Sequence, residues 1–138
     1  MRKLFVLLAC HFISFAANAQ DATPQPLFSG TYVGKAPCAD CKLIETELEL
    51  IYGTDTSGEY ALRDKYIGRQ GMDMKSLVKG EWVRMYDAKV GMLIVLDADV
   101  ADKTSYFLYR KDGSLAPLDK DLHKIEAPID CSLTKKES

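Results

Sequence analysis

Two cysteines separated by two residues, Cys38 and Cys41, are the side chains whose type and spacing most directly suggest chemistry. A Cys-x-x-Cys pair has three physical interpretations: a local disulfide, a redox-active dithiol, or thiolate ligands for a soft metal ion such as Cu(I). In an extended strand the two residues would lie roughly 10 Å apart, beyond disulfide reach. A turn through Ala39 and Asp40 would bring the sulfurs together. The motif therefore predicts paired sulfur chemistry without selecting one kind.

The position of the motif argues against a disulfide oxidoreductase. In thioredoxin-like enzymes the motif opens a helix, and the helix dipole lowers the pKa of the nucleophilic thiol. Here the motif is followed at once by a segment with the period-two polarity of a strand. The sequence also offers no Ser-His-Asp set, phosphate-binding glycine loop or acid–base dyad. We therefore expect the protein not to be an enzyme.

The elements that must position the cysteines are predicted to be β-strands. From Lys42 to Tyr52 apolar and acidic residues alternate, as in an antiparallel strand with one buried face. A turn cluster at residues 53–58 then predicts a hairpin. The predicted strands cover residues 28–33, 42–52, 59–66, 77–86, 92–96, 104–109, 114–118 and 122–125. This pattern predicts an all-β protein, a single small antiparallel meander β-barrel of about eight strands, because barrel closure removes exposed sheet edges.

Length and charge limit the classes of function. The chain has 138 residues, with 18 Lys and Arg against 20 Asp and Glu. This is enough for one domain, and the charge balance offers no surface for neutralising nucleic-acid phosphates. We predict four segments: a signal peptide at 1–19, a linker at 20–27, the barrel at 28–126 and a C-terminal tail at 127–138.

The first residues predict export. A basic start, an apolar run and Ala17-Asn18-Ala19 have the pattern of a signal peptide cleaved after Ala19. The expected location is therefore the periplasm or the exterior of the cell. The alternative is an outer-membrane lipoprotein, because Leu7-Leu8-Ala9-Cys10 has the shape of a lipoprotein cleavage site. Contact with a membrane is expected only if Cys10 is lipidated.

Other candidate residues each have a plain structural interpretation. Cys131 either joins the tail to Cys38 or Cys41, or remains free. Met72 and Met74 fall in a predicted loop at 68–76, where they would supply additional soft ligands or merely cover apolar surface. Two aromatic residues would either line a ligand cavity or form ordinary core; they are Trp82 and Tyr60.

The segment Tyr32-Val33-Gly34-Lys35-Ala36-Pro37-Cys38-Ala39-Asp40-Cys41, followed by Ile44-Glu45-Thr46, resembles the signature of the NlpE N-terminal domain family. The likeness continues in Gly80-Glu81-Trp82 and in Leu115-Ala116-Pro117-Leu118-Asp119. The resemblance implies a lipocalin-like β-barrel of the bacterial envelope, with the family's paired cysteines at Cys38 and Cys41. It further implies a role in copper tolerance, or in signalling envelope stress to the Cpx two-component system through an envelope sensor protein.

Two hypotheses follow. In the first, a non-enzymatic exported barrel responds to copper or to redox state through the Cys38 and Cys41 pair, which binds Cu(I) when reduced and forms a disulfide when oxidised. In the second, the barrel carries a small apolar ligand and the disulfide is purely structural.

Overall fold

A computed structural model describes residues 27–137, and within this range the chain forms eight strands and no helix. The strands are β1 (Gly30–Ala36), β2 (Leu43–Tyr52), β3 (Ser57–Arg69), β4 (Met72–Asp87), β5 (Gly91–Leu96), β6 (Ser105–Tyr109), β7 (Leu115–Leu118) and β8 (Thr134–Lys135). Strands β1 to β7 each pair with their neighbours in sequence, and β8 pairs with β1. All of these pairings are antiparallel. The predicted all-β meander is confirmed.

The predicted signal peptide at 1–19, with Cys10, and all but the last residue of the predicted linker at 20–27 lie outside the described residues. Over residues 27–137, no helical segment has the length and apolar character needed to cross a bilayer.

The alternation predicted for β2 sorts its side chains between two faces. Leu48 and Leu50 are buried in the barrel. On the opposite face, the Arg63 guanidinium of β3 lies 3.5 Å from the Glu47 carboxylate and 3.1 Å from the Glu49 carboxylate. The acidic residues of β2 therefore form a solvated outer surface, and the leucines anchor the strand to the core.

Strands β3 and β4 form a hairpin longer than predicted. Its turn is Gln70-Gly71, and positive φ angles of 51° and 81° at these residues suit a two-residue hairpin turn. The predicted loop at 68–76 is therefore wrong, and Met72 and Met74 lie on β4. Because β5 pairs only with Trp82–Asp87 of β4, the preceding part of β4 has one unpaired edge.

The core gathers aromatic and aliphatic side chains from most of the strands. The Trp82 indole donates a hydrogen bond to the Ile51 carbonyl at 2.9 Å, and the Tyr60 hydroxyl donates to Asp97 at 2.6 Å. The Phe28 ring meets the Trp82 ring edge-on, with centroids 6.4 Å apart. The buried cluster consists of Phe28, Tyr32, Leu48, Leu50, Tyr60, Trp82, Ile94, Leu96, Leu115 and Leu133. The Tyr60 hydroxyl and the Trp82 indole nitrogen each have a hydrogen-bond partner, so burial of these two side chains leaves neither polar group unpaired.

The barrel is closed by residues that follow the predicted last strand. Leu133 exchanges two backbone hydrogen bonds of 2.8 Å with Leu115 of β7, and β8 directly after it pairs with β1. Gly34 permits this approach, because a Cβ atom at that position would lie 2.6 Å from the Ser132 carbonyl oxygen. The segment predicted as a tail at 127–138 thus supplies both a core side chain and the eighth strand.

The strand predicted at 122–125 is wrong. Its only pairing is an isolated bridge between Leu118 and Lys124. Asp119 shapes this segment as a turn, since its carboxylate accepts hydrogen bonds from the backbone amides of Asp121 and His123, each at 2.9 Å. Local side-chain bonds of this kind compete with a sheet ladder, and here they replace it.

Candidate sulfur site

The cysteine pair lies in the loop between β1 and β2, residues 37–42, which we call the sulfur loop. Cys38 and Cys41 form a disulfide with their Cα atoms 5.3 Å apart. The bend that allows this passes through Ala39 and Asp40. Two neighbouring strands ending beside each other thus hold the sulfurs together at one rim of the barrel.

Asp40 connects the sulfur loop to the β3–β4 hairpin. Its Oδ1 atom lies 3.4 Å from Cys38 Sγ. Its Oδ2 atom accepts a hydrogen bond from Nε of Arg69 at 2.9 Å and lies 2.9 Å from Nη2 of the same guanidinium, forming an ion pair. The Arg69 guanidinium also lies over the Tyr66 ring, 5.0 Å from its centroid. A residue inside the cysteine motif is therefore held by a side chain at the end of β3.

The backbone adds a second attachment between the same parts. The Lys42 amide donates a hydrogen bond to the Ile67 carbonyl at 2.9 Å. Gly68 follows with a φ of 71°, at a register shift between Tyr66 and Arg69, and its amide donates to Asp73 at 3.0 Å. The sulfur loop is therefore hydrogen-bonded to β3 next to the register shift in that strand.

Charged groups of both signs lie at this rim. The hydrogen bond from the Gly68 amide lowers the pKa of the Asp73 carboxyl, and the Lys65 and Lys42 ammonium groups lower it further. Lys65 lies 3.5 Å from Asp73, and Arg69 is paired with Asp40. The rim next to the sulfur loop is therefore polar, and its cations are matched by carboxylates.

Three potential metal-donor atoms lie together in the sulfur loop. Cys38 Sγ, Cys41 Sγ and an Asp40 carboxylate oxygen lie within 4.8 Å of one another. The two sulfurs ligate a metal only after reduction, since the thiolate is the ligand form. Thiolates suit Cu(I), whereas the Asp40 carboxylate is a hard ligand and is already bound by Arg69. The pair of cysteines therefore fits a two-sulfur site for a soft ion.

The methionines predicted as additional ligands share the hairpin with Arg69. Met72 pairs with Arg69 and Met74 pairs with Tyr66, and both methionine side chains are exposed. The hairpin thus places both methionines on β4, next to the strand β3 whose Arg69 binds Asp40. Their role as metal ligands stays a prediction.

The aromatic residues predicted to line a ligand cavity are packed in the core. Trp82 and Tyr60 are 1% and 4% exposed. Burial, together with the hydrogen bond to Asp97, raises the pKa of the Tyr60 hydroxyl above its usual range. A cavity of about 870 Å³ is lined by other side chains, many of them charged, including Glu45, Glu47, Arg63, Lys65 and Lys75.

A smaller cavity of about 330 Å³ lies next to the sulfur loop and has a mostly apolar lining. Ala36 and Pro37 form part of its wall, together with Leu62 and Phe107 from the barrel strands. Thr46 and Asp64 add a polar element, because the Thr46 hydroxyl donates a 2.7 Å hydrogen bond to Asp64.

Sequence reasoning did not identify Arg69 as part of this site. Arg69 is 29 residues from Asp40 along the chain, and only the pairing of β2 with β3 brings the two together. Gly71 was the available signal, since glycine is common at the second position of two-residue hairpin turns, although Gln is not among the residues that usually precede it there. A turn placed there would have put Arg69 at the end of a strand next to β2.

Comparison with known proteins gives a consistent result. Residues 32–128 match the family model described as NlpE N-terminal domain. The chain is 28% identical over 139 residues to Lipoprotein NlpE of Escherichia coli strain K12, an alignment that covers 99% of this chain and 54% of that protein. The chain therefore spans about half the length of this relative.

Two crystal structures are similar to the chain. One is of a protein described as a lipoprotein from Shewanella oneidensis, with a TM-score of 0.54, 28% identity, and coverage of 80% of this chain and 91% of that one. The other is the Cpx pathway activator NlpE from Escherichia coli, with a TM-score of 0.49, 28% identity, and coverage of 80% and 51%. With the family match spanning most of the barrel, the chain belongs to the NlpE N-terminal domain family.

Proposed function

We propose that this protein is a non-enzymatic component of the bacterial envelope that takes part in copper tolerance or envelope stress sensing through Cys38 and Cys41. The family membership supports this, as does the similarity to a protein described as a Cpx pathway activator. The observation that carries the proposal is the attachment of the disulfide loop to the β3–β4 hairpin through Asp40 and Arg69. A change at the sulfurs is thereby linked to a second part of the surface.

The proposed response begins with the bond between the sulfurs. In the oxidised protein, the disulfide fixes the bend that places Asp40 against Arg69. A dithiol reductant of the envelope transfers two electrons and two protons to the disulfide and itself becomes a disulfide, which gives two thiols here and removes this constraint. The reduced pair then supplies two soft sulfur ligands, which suit Cu(I). Without the disulfide, only the Asp40–Arg69 contact still orients the bend, so an envelope sensor protein that binds this rim would distinguish the reduced loop from the oxidised one.

Competition for Cu(I) against a chromogenic chelator tests this proposal. The reduced full chain should bind about tenfold or more tightly than the oxidised chain, because only thiolates are strong ligands for the ion. Cys38→Ser with Cys41→Ser should abolish the difference. Cys131→Ser is the matched control, since it removes one sulfur and keeps the pair. Equal binding by oxidised and reduced protein, or undiminished binding by the double variant, would contradict the proposal.

We also propose an exported location, either the periplasm or, with lipidated Cys10, the outer membrane. Intact mass of the protein isolated from its host distinguishes the two. Cleavage after Ala19 with no added mass indicates a free exported protein, whereas an acylated N-terminal Cys10 indicates a lipoprotein. The unprocessed mass of all 138 residues would contradict both.

A second candidate function is supported by the cavity beside the sulfur loop. Its volume of about 330 Å³ and largely apolar wall suit one small apolar ligand. Titration with a fluorescent short-chain acyl probe tests this function. Leu62→Trp fills the cavity and should abolish probe binding, whereas replacing both Cys38 and Cys41 with Ser should leave it intact. Probe binding that survives Leu62→Trp would exclude this cavity.

A further inference from the structure

A third cysteine, Cys131, lies close to the sulfur loop although it is far away in sequence. Within the described residues it is the free cysteine, and its side chain is half-buried. It directly precedes the residues that close the barrel, Ser132 and Leu133. Its position is therefore fixed by the pairing of those residues with the strands on either side.

The strand register places Cys131 beside the sulfur loop. β8 is antiparallel to β1, with Tyr32 opposite Lys135 and Val33 opposite Thr134. Continued backwards along β8, this register puts Cys131 opposite Ala36. Cys38 lies two residues beyond Ala36, where β1 has ended and the sulfur loop has begun. Diagonal neighbours in an antiparallel strand pair have Cα atoms about 7–8 Å apart, and this sets the scale for the separation of Cys131 from Cys38.

Two contacts show that the chain follows this course beyond the last paired residue. The Ser132 carbonyl is packed so closely on Gly34 that a Cβ atom there would lie 2.6 Å from its oxygen. Cys131 then lines the same cavity of about 330 Å³ as Ala36 and Pro37, the residues that precede Cys38. Cys131 thus lines a space bordered by the two residues that precede Cys38, and its Sγ atom lies 3.6 Å from the Ile129 carbonyl oxygen.

We propose that Cys131 exchanges with the Cys38–Cys41 disulfide. The Cys131 thiolate attacks Cys38 Sγ, a Cys38–Cys131 bond forms, and the Cys38–Cys41 bond breaks. Cys41 leaves as a thiolate and takes up, through solvent, the proton that Cys131 gave up. The step conserves one disulfide and one thiol, so it requires no oxidant or reductant. It needs an approach of only about 1–2 Å, because disulfides span Cα separations of about 4.4–6.8 Å.

The exchange would tie the sulfur loop to the segment that closes the barrel. In the first isomer the disulfide is local and Cys131 is free; in the second, the disulfide joins the loop to residues next to β8 and Cys41 is free. The proposed exchange involves the same loop as the proposed sensing function, but it needs neither copper nor a partner protein. The exchange and the sensing function can therefore be disproved independently of each other.

Oxidation of variants that each keep two cysteines tests this geometry. The full chain with Cys10→Ser, which removes the remaining cysteine, is combined with Cys41→Ser or with Cys38→Ser. Each protein is reduced, freed of metal and oxidised in a glutathione buffer, and its disulfides are mapped by peptide mass spectrometry. Cys41→Ser should form the internal Cys38–Cys131 bond about tenfold faster than Cys38→Ser forms a Cys41–Cys131 bond, since proximity sets the rate. Equal rates, or only dimers and glutathione adducts with Cys41→Ser, would overturn the inference.

A second measurement uses the chain with only Cys10→Ser, which keeps Cys38, Cys41 and Cys131. It guards against a folding defect in the other variants. After incubation at pH 8.5 without metal, rapid alkylation labels whichever thiol is free. The expected result is that label on Cys41 appears and rises while label on Cys131 falls by the same amount, until the two reach a constant ratio. Label confined to Cys131 at all times would overturn the inference, whatever the copper titration shows.

Discussion

The two ends of the β2–β3 strand pair are built from different side chains. At one end, the packed end, Leu50 faces Tyr60 inside the barrel, near Trp82. At the other end, the loop end, Thr46 faces Asp64 below the sulfur loop. The same two strands thus pass from an apolar core to a polar rim within a few residues. We infer that stability is concentrated at the packed end, so chemistry at the loop end can change without unfolding the barrel.

The strongest test of this contrast removes the largest buried side chain. Trp82→Ala should cost about 3–5 kcal/mol of unfolding free energy, because it leaves a cavity at the packed end. Leu77→Ala, at an exposed position of the β3–β4 hairpin, is the comparison and should change stability by no more than about 0.5 kcal/mol. Urea denaturation followed by circular dichroism measures both. Similar losses for the two variants would remove the distinction between the ends.

Closure of the barrel provides the next test. Gly34→Ala forces a Cβ atom against the Ser132 carbonyl and the Leu133 side chain, and should cost about 1–3 kcal/mol by overpacking. The closing segment should also become sensitive to limited proteolysis near residues 129–135. Loss of stability without new cleavage there would show that Gly34 acts elsewhere.

Alkaline pH should weaken the packed end before the loop end. Burial raises the pKa of Tyr32 from its ordinary value of 10.0 to about 12, and the nearby Tyr109 adds to this. Since the folded state holds the proton more tightly, the contribution is complete below pH 10 and is lost as the pH rises towards 12. The loss should reach on the order of 1 kcal/mol by pH 11.

Tyr32→Phe is the matching variant for this pH effect. It loses the hydrogen bond from the Tyr32 hydroxyl to the Phe28 carbonyl, so its stability at neutral pH should be lower by about 1 kcal/mol. Its unfolding free energy should, however, decline less steeply between pH 10 and 12. An unchanged decline in urea denaturation over this range would assign the alkaline sensitivity to other groups.

The smallest expected effect on stability comes from the loop end itself. Arg69→Ala breaks the contact with Asp40, and a partly exposed ion pair of this kind is worth less than about 1 kcal/mol. Hydrogen exchange at the Lys42 amide should nevertheless become faster, because the sulfur loop loses one of its two attachments. Arg63→Ala removes the same charge from the outer face and should leave that amide unaffected. Equal exchange in both variants would show that Asp40 does not hold the loop.

The sequence was most informative where a strand has one buried face. In β2, Leu48 and Leu50 alternate with glutamates, and this alternation predicts that the leucines face the core. The prediction is confirmed. In the first half of β4, Met72, Met74 and Val78 are exposed although they lie in a strand. With no β5 residue beside this part of β4, burial does not impose an alternation there. Periodicity therefore gives no strand signal there, and the sequence predicts a loop at 68–76 where the structure has the β3–β4 hairpin.

Contacts between segments that are distant in sequence could not be predicted, for a different reason. β8 has two residues, too few to carry any pattern, and its position depends on Leu133 fitting between β7 and β1. The bend at Cys38 and Cys41 is local, so turn chemistry was sufficient to predict it. The attachment of Asp40 to Arg69 required the hairpin turn to be placed correctly, as did the position of Met72 and Met74.

The late position of Leu133 in the chain also affects how the protein is made. The closing hydrogen bonds to Leu115 and the pairing of β8 with β1 involve residues near the end of the sequence. As the polypeptide emerges during synthesis, the strands β1 to β7 are complete before anything can cover their outer edges. Unpaired strand edges readily join other chains. The nascent sheet thus passes through a stage vulnerable to aggregation, which ends when Leu133 and β8 pair with β7 and β1.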